Sequence, residues 1–278
     1  MNIVEFTAFV FTTSLFAGLL GALTGLGGGV VIVPVLVLLF KVDIRYAIGA
    51  SLVSVIATSS GAAVSYVREG LSNIRIGMFL EIATTLGALF GAYLTTKVST
   101  HYIAIIFGIV LLYSAFSSLR KTPQYASPCD PDRLATTLKL NGSYAGEAGQ
   151  ESYSAQRVPL GFGIMLGAGT LSGLLGIGSG AVKVLAMDHA MRLPFKVSTT
   201  TSNFMIGVTA AASAGVYLSR GYIEPGLAMP VMLGVLAGSV VGSRILVRAR
   251  VATLKILFSL VIVLLGGEMI YSGFAGRI

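Results

Sequence analysis

The chain has 278 residues, of which 55% are hydrophobic and only 11% are charged, and its mean hydropathy is +0.87. A soluble domain of this size does not reach that composition, so we expect an all-α polytopic membrane protein. The formal net charge of +8 does not indicate a nucleic-acid partner, because the basic residues lie at helix ends, where bilayer phosphates and orientation rules account for them.

Several apolar runs are long enough to form membrane helices. In chain order they lie at about 5–23, 46–67, 76–96, 102–119, 158–175, 197–218, 224–247 and 251–275. Two shorter runs, 30–40 and 181–191, each cover roughly 16 Å, about half of the ~30 Å hydrocarbon core. The sequence therefore predicts about eight long helices and two half-helices.

A glycine-rich cluster directly precedes each half-helix, GLGGG at 25–29 and GIGSG at 176–180. A shift of 151 residues aligns the two clusters without a gap, and the match continues through the next two helices, where Ser51 aligns with Ser202. This regularity indicates an internal repeat in which each copy contains one helix break and one half-helix.

We expect three parts: a first membrane repeat at 1–119, a polar loop at 120–157 and a second membrane repeat at 158–278. Because cytoplasmic loops carry an excess of Lys and Arg, these residues test the relative orientation of the repeats. An odd number of membrane crossings per repeat divides the basic residues unequally. The larger group lies on one side of the membrane: Arg68, Arg75, Arg120, Lys121, Arg133, Lys139, Arg157, Arg192, Lys196, Arg244, Arg248 and Arg250. The opposite side then holds Lys41, Arg45, Lys97, Arg220 and Arg277.

An even number of crossings divides the same residues almost equally, so the odd, inverted arrangement is favoured. It places the central loop in the cytoplasm and both termini outside. The result is the same whether the first two segments of each repeat cross fully or re-enter.

Inverted repeats with interrupted helices are typical of secondary transporters, where the breaks expose backbone groups to the substrate near the midplane. Lys183 lies in the first turn of the second half-helix, where exposed amides and the helix dipole disfavour a cation unless an anion binds. We therefore predict a small-anion site at the two breaks. Its members are Gly27, Gly28, Gly29, Gly178, Ser179, Gly180 and Lys183.

Lys183 has competing interpretations, because it can snorkel or pair with an acid on another helix. Glu81 and Glu268 are the candidate partners, although a position one or two turns from a helix end favours the membrane interface for each. Asp188 and His189 are expected to be solvated at the cytoplasmic end of the half-helix. Four further glycines have the spacing of close-packing pairs: Gly87, Gly91, Gly238 and Gly242.

The polar run STTTSNF, 198–204, has more hydrogen-bonding capacity than helix capping by Ser198 uses. Polar groups inside a membrane need a partner or a cavity. We therefore predict that Ser202 and Asn203 contact the substrate, with Ser51 as the symmetric candidate in the first repeat.

Catalysis is not expected, because His101 and His189 lie in different halves with no matching nucleophile or metal-ligand spacing. The single cysteine, Cys129, forms no internal disulfide, and we expect no cofactor. A channel would need a continuous polar stripe along several helices, whereas polarity here is concentrated at the breaks and in the STTTSNF run. The pattern favours a gated carrier.

The segments SGLLGIGSGAVKV and LPFKVSTTTSNFMIGVTAAASAGVYLSRGYI, with GALTGLGGGVVIVPVLVLLF in the first half, resemble the TauE/SafE sulfite exporter family of bacterial and archaeal membrane proteins. The resemblance covers nearly the whole chain. Two positions depart from the family pattern: Ser179 replaces a glycine, and Leu185 stands where a proline often follows.

The resemblance implies export of sulfite or a related organosulfur anion across the cytoplasmic membrane of a prokaryote. A larger organosulfonate or organic acid, such as sulfoacetate, and an anion channel remain the alternatives. The expected partners are the small anionic substrate and the lipid bilayer, and a homodimer through glycine-rich faces is left open.

Overall fold

The computed structural model describes residues 2–24, 28–68, 72–119, 132–146, 149–246 and 251–277. The described chain is mostly helical, in agreement with its composition. The helices are α1 (Ile3–Thr24), α2 (Gly29–Leu38), α3 (Ile44–Arg68), α4 (Ile74–Leu94), α5 (Thr100–Leu119), α6 (Arg133–Thr137), α7 (Val158–Leu175), α8 (Gly180–Leu185), α9 (Phe195–Ser219), α10 (Pro225–Leu246) and α11 (Val251–Phe274).

The half-helices predicted from the two short apolar runs correspond to α2 and α8. After Leu185 the second one continues directly as a π-helical turn, Ala186–Ala190. Each half-helix is followed by a short connection into a long helix, α3 or α9. Thus α2 precedes α3, which carries Ser51, and α8 precedes α9, which carries Ser202.

The central polar segment differs from the expected loop. It contains the short helix α6 and an antiparallel hairpin of β1 (Gly142–Gly146) and β2 (Gly149–Tyr153). Two strands without further sheet are marginal alone, so this hairpin needs a surface to pack on. It finds that surface at the start of α4, where the Asn73 amide contacts the Tyr153 hydroxyl.

Apolar helices of membrane length occur within the described ranges. By length and composition, Ile74–Leu94, Thr100–Ser117 and Val158–Leu175 are long and apolar enough to cross a membrane. Five shorter apolar stretches accompany them: Val4–Leu20, Gly29–Leu38, Ile44–Ser60, Pro225–Val241 and Ser259–Phe274. Many large apolar side chains on these helices are exposed, as expected for surfaces that face lipid.

The long helices pack in pairs that join the two halves of the chain: α1 with α10, α4 with α7, α5 with α11, and α3 with α9. Glycines allow the close approach. A Cβ at position 87 or 91 would overlap the α7 backbone, and a Cβ at position 238 would overlap the α1 backbone. The packing role predicted for Gly87, Gly91 and Gly238 is confirmed, whereas the surroundings of Gly242 lie outside the described residues.

The central pair, α3 and α9, is antiparallel. Ser59 lies beside Gly207, whereas Gly49, near the start of α3, lies beside Tyr222, which follows the end of α9. The α5 and α11 pair is also antiparallel, while α4 runs parallel to α7 and α1 runs parallel to α10. Both half-helices pack on the central pair, α2 against α3 and α8 against α9.

Candidate functional site

The described end of the first glycine cluster, Gly28 and Gly29, lies at the start of α2, and Gly29 approaches the second cluster. α2 begins at Gly29, and a Cβ at this position would lie 2.6 Å from Ser51 Oγ and 3.2 Å from the carbonyl oxygen of Gly176. Only a residue without a side chain allows the start of the first half-helix to approach the second cluster so closely. Gly28 caps α2 and is buried, whereas Gly27 lies outside the described residues.

The second cluster turns through left-handed backbone at Gly176, Gly178 and Ser179. Gly176 has φ +67° and Gly178 has φ +68°, which glycine adopts without steric cost, and Ser179 adopts the same region with φ 44°. The Cα of Gly178 also packs against Ile206 of α9. This backbone ends α7 at Leu175 and starts α8 at Gly180, so the helix break predicted at GIGSG is present.

Ser51 and Ser202 both bond to carbonyl groups of the second break. Ser51 Oγ donates to Gly176 O at 2.8 Å, and Ser202 Oγ donates to Gly180 O at 3.3 Å. These bonds anchor the break to α3 and α9, the antiparallel central pair. Both candidate serines thus lie beside the breaks, with their hydroxyl hydrogens directed at the backbone.

Ser179 differs from these two serines. Its side chain is buried, with 4% of its surface exposed, and its Oγ has no hydrogen-bond partner among the described residues. A buried hydroxyl without a partner loses the hydrogen bonds that water would supply, so it is unfavourable unless a ligand satisfies it. Ser179 is therefore the hydroxyl at the breaks that remains available to bind an anion.

Lys183 is fully buried. Its Nζ donates to Thr209 Oγ1 of α9 at 2.5 Å, and Thr209 Oγ1 donates in turn to Glu81 Oε1 of α4 at 2.6 Å. The hydroxyl thus bridges the ammonium and the carboxylate. In a low-dielectric interior the two charges stabilise one another, although each loses its hydration.

The ammonium of Lys183 lies near the start of its own helix. α8 runs antiparallel to α9, because a short connection joins the end of this helical stretch to the start of α9, and Gly180 packs beside Ser202 and Ile206. Side chains on a helix tilt toward its N-terminus. Contact with Thr209, about one turn beyond Ile206, therefore requires the Lys183 side chain to extend back to the level of the break.

The position of Glu81 corrects the sequence interpretation, which assigned it to the membrane interface. Its side chain is buried with 7% exposure, because α4 packs closely against both α7 and α9. Oε1 accepts hydrogen bonds from Thr209 and Thr85, whereas Oε2 has no partner among the described residues. Glu268 is exposed, so Glu81 is the acid that pairs with Lys183.

The other polar residues of the STTTSNF run have different surroundings. Thr201 Oγ1 accepts the backbone N–H of Asn73 at 3.1 Å, so it contacts the start of α4 and not the breaks. Asn203 is half-buried on α9. Ser198 does not cap α9, because the helix begins earlier, at Phe195, and its Oγ has no partner within the described chain.

Asp188 and His189 lie on the π-helical turn after α8. His189 is exposed, as expected, but Asp188 is buried with 1% exposure, which corrects the prediction that it is solvated. His189 Nδ1 lies 3.5 Å from Asp188 Oδ2. Lys183 bonds to Thr209 instead, so the pair is separate from that lysine.

Asn73 links the hairpin to the membrane helices. Its Oδ1 caps α4 by accepting the N–H of Ile76 at 3.1 Å, and its Nδ2 donates to the Tyr153 hydroxyl at 2.8 Å and to Leu140 O at 3.2 Å. Burial raises the pKa of the Tyr153 phenol, so the hydroxyl remains protonated at neutral pH. A cleft of about 270 Å³ lies beside this contact, and its lining includes Arg75.

In the described part of the chain, the start of α2 and the break before α8 lie on an antiparallel helix pair, beside a buried lysine. Broken helices of this kind are characteristic of membrane transporters, in which irregular backbone is tolerated at membrane depth when it is buried in protein or lines a cavity. Within the described ranges, no three His, Cys, Asp or Glu side chains cluster as metal ligands.

The sequence model of the family "Sulfite exporter TauE/SafE" matches residues 10–269, so the chain belongs to this family. It is 29% identical over 266 residues to the "Probable membrane transporter protein YunE" of Bacillus subtilis (strain 168), covering 93% of this chain and 95% of that protein. It is 26% identical over 228 residues to "Probable membrane transporter protein YdhB" of the same organism, covering 82% and 85%. No solved structure matches significantly. The family and the names of the relatives indicate a multi-pass membrane transporter rather than an enzyme.

Proposed function

We propose that the protein is a secondary transporter that exports a small oxyanion from the cytoplasm by alternating access, with sulfite as the first candidate. The observation that carries this proposal is the fully buried Lys183 beside a helix break that also contains Ser179, whose hydroxyl has no partner in the part of the chain that the structure describes. The family description names sulfite, and the two relatives are named as transporters without a substrate.

The helix directions support two inverted repeats. Under the 151-residue shift α3 corresponds to α9 and α5 to α11, and the members of each pair run antiparallel. The pairing of α1 with α10 likewise corresponds to the pairing of α7 with α4. A two-fold axis in the membrane plane would produce this arrangement, with 1–119 and 158–278 as the repeats.

The proposed anion site contains backbone amides, one hydroxyl and one ammonium. Gly29 brings the start of the first half-helix beside the carbonyl group of Gly176, and Ser51 and Ser202 anchor the second break. Gly28, Gly178 and Gly180 are the other described glycines of the proposed site. A small oxyanion matches several convergent N–H donors with one cationic partner. Gly27 and Asn203 remain candidate contributors. The first half-helix has Ile32 at the position equivalent to Lys183, so one repeat supplies the charge.

Transport would proceed by movement of one repeat against the other around the breaks. The anion would enter from the cytoplasm, bind near Lys183 and leave after the site opens to the other side. An inside-negative potential favours export by about 2.3 kcal/mol per charge per 100 mV, so coupling to a proton is not required.

The same proposal includes the orientation and the surroundings of the chain. The central segment 120–157 would lie in the cytoplasm and both termini outside, in the inner membrane of a prokaryote, because this arrangement places most Lys and Arg side chains inside. The partners would be the anion and the lipid bilayer, with a homodimer as the alternative to a monomer.

Counterflow of labelled sulfite in liposomes that contain the purified protein tests the proposal. We expect saturable sulfite transport by the wild type and at least about a 100-fold loss in Lys183→Met, because the anion loses its cationic partner in a low-dielectric site. Thermal unfolding in detergent would verify that the variant is folded. Near-normal transport by a folded Lys183→Met would remove Lys183 from the site.

Competitors distinguish the substrate classes. Sulfate, sulfoacetate and a larger sulfonate are added to the same assay. Transport of sulfite that the larger sulfonates do not inhibit supports a small-oxyanion carrier. Transport of sulfoacetate but not of sulfite would favour a larger organic acid as substrate, because the first half-helix carries no charge and can face the apolar part of such a molecule. A single-channel current in planar bilayers would contradict alternating access.

A further inference from the structure

We infer that Glu81 is an internal counter-anion: it neutralises Lys183 when the anion site is empty and allows the empty transporter to change conformation and return. This inference rests on the proposed function and assigns a role to a residue that the anion site itself does not require. It identifies Glu81 as the residue that decides between net export and obligatory exchange.

The charges of the described residues carry the first step. Lys183 is fully buried, and Glu81 is the acid whose charge acts on it, through the Thr209 hydroxyl. An uncompensated ammonium at this depth is strongly unfavourable. When no substrate is bound, the carboxylate of Glu81 supplies the negative charge that the ammonium needs.

The second step concerns how weakly the pair is connected. Among the described residues the Lys183 ammonium makes one side-chain hydrogen bond, to Thr209, although it has three N–H groups. Glu81 Oε2 has no partner within the described ranges. Direct ion pairs between Lys183 and Glu81 do not occur within 4.0 Å in the described chain, so a hydroxyl separates the two charges. The ammonium therefore retains N–H groups that can donate hydrogen bonds to a bound anion.

The third step is the arrangement across helices. Glu81 lies on α4, Thr209 on α9 and Lys183 on α8, so the pair connects an element of the first half with two elements of the second. The carboxylate that neutralises the ammonium thus belongs to the other half of the chain. The bound anion replaces Glu81 as the partner of Lys183, and Glu81 becomes the partner again when the anion has left, so the ammonium is neutralised in both states.

The inference predicts a specific separation of two activities. In Glu81→Gln the empty site carries an unpaired ammonium, so the empty protein cannot reorient, whereas the anion-loaded protein still can. Net efflux of sulfite into sulfite-free buffer should fall about 10-fold or more, because a buried charge is left without its partner. Exchange of internal for external labelled sulfite should stay within about two-fold of wild type, and the apparent KM should decrease, because the internal competitor is gone.

The experiment measures both activities in the same proteoliposomes, with the membrane potential held constant. Glu268→Gln is the matched control, because it removes a carboxylate of the same size from an exposed position, and both of its rates should equal those of the wild type. Equal loss of efflux and exchange in a folded Glu81→Gln, or no loss of either, would overturn the inference.

Stability gives a readout that does not depend on transport. Glu81→Gln should unfold at a lower temperature than the wild type, and the double variant Lys183→Met with Glu81→Gln should recover most of the difference, because it contains neither charge. Addition of sulfite should stabilise Glu81→Gln more than it stabilises the wild type. A double variant as unstable as Glu81→Gln would show that the two side chains are not paired.

The proposed function and this inference fail in different ways. If the wild type transports neither sulfite nor sulfoacetate, the proposed function fails while the double-variant comparison still tests the pairing. If the wild type transports sulfite and Glu81→Gln retains full net efflux, the proposed function stands and the role of Glu81 as counter-anion is wrong.

Discussion

Asn73 connects three parts of the molecule through different atoms. Its Oδ1 caps α4, its Nδ2 holds the hairpin at Tyr153 and Leu140, and its backbone N–H donates to Thr201. Thr201 precedes Ser202, whose hydroxyl bonds the second break. A single residue thus joins the polar central segment, through its side chain, to the helix that carries the candidate site, through its backbone.

Two substitutions separate these roles. Asn73→Ser retains an N-cap residue but cannot reach the hairpin, whereas Asn73→Ala loses both contacts. We expect faster trypsin cleavage after the exposed Lys139 in both variants, and an unfolding free energy about 1 kcal/mol lower in Asn73→Ala than in Asn73→Ser, because only serine retains the cap. Mass spectrometry of the fragments and thermal unfolding measure the two effects. Wild-type cleavage of Asn73→Ser would mean that Asn73 does not hold the hairpin.

The site residues illustrate what a sequence can reveal at this scale. The second glycine cluster predicted the break before α8 and the first predicted the start of α2, because glycines before a short apolar run are a local signal. Residues 25–27 of the first cluster lie outside the described residues. The pairing of Lys183 with Glu81 and Thr209 depends on how α4, α8 and α9 pack, and nothing local to position 81 reports that packing. The position of Glu81 two turns inside a long apolar helix was the available signal, since a carboxylate there needs a partner.

Pairs of helices at glycine-rich faces are the main contact between the two halves. Along α7, Gly169 and Gly173 face the α4 backbone at Thr84 and Ala88, and Gly87 of α4 faces the α7 backbone in return. A membrane lacks the hydrophobic drive that joins helices in water, so close packing at small residues supplies much of the association. The helices approach as closely as their backbones allow.

One helix offers a matched pair of glycine substitutions. A Cβ at position 173 would overlap the carbonyl group of Ala88, whereas a Cβ at position 167 would meet no atom within 4 Å. Gly173→Ala should reduce the unfolding free energy by about 1–3 kcal/mol through overpacking. Gly167→Ala should leave it unchanged or increase it by up to about 1 kcal/mol, because alanine favours helix. Unfolding in detergent measures both, and equal effects would contradict the α4–α7 interface.

The sequence predicted the elements better than their partners. The apolar runs gave the long helices and half-helices within a few residues, because membrane length is a strong constraint. Spacing identified Gly87, Gly91 and Gly238 as packing positions without indicating which helix they contact. The hairpin at 142–153 was not predicted, because its glycine-rich and polar residues resemble those of a loop and its stability depends on docking at Asn73.

At the scale of the whole molecule, the proposed orientation can be tested with the single cysteine, Cys129. An impermeant maleimide added to intact cells should leave it unlabelled, and permeabilisation should expose it, because the proposed topology places segment 120–157 inside. In a second variant, Cys129→Ser combined with Arg277→Cys, labelling should occur in intact cells. Labelling of both positions from the same side would contradict an odd number of crossings per half.

The pairing of α1 with α10 has a consequence for synthesis of the chain. α1 ends at Thr24 and α10 begins at Pro225, so roughly 200 residues must be translated before α1 meets its neighbour. At about 5–20 residues per second this takes about 10–40 s. Throughout that interval the small-residue surface of α1 faces lipid or the insertion machinery. The nascent chain is therefore most vulnerable to incorrect association or proteolysis in its earliest inserted helix, until ribosomes complete the second half.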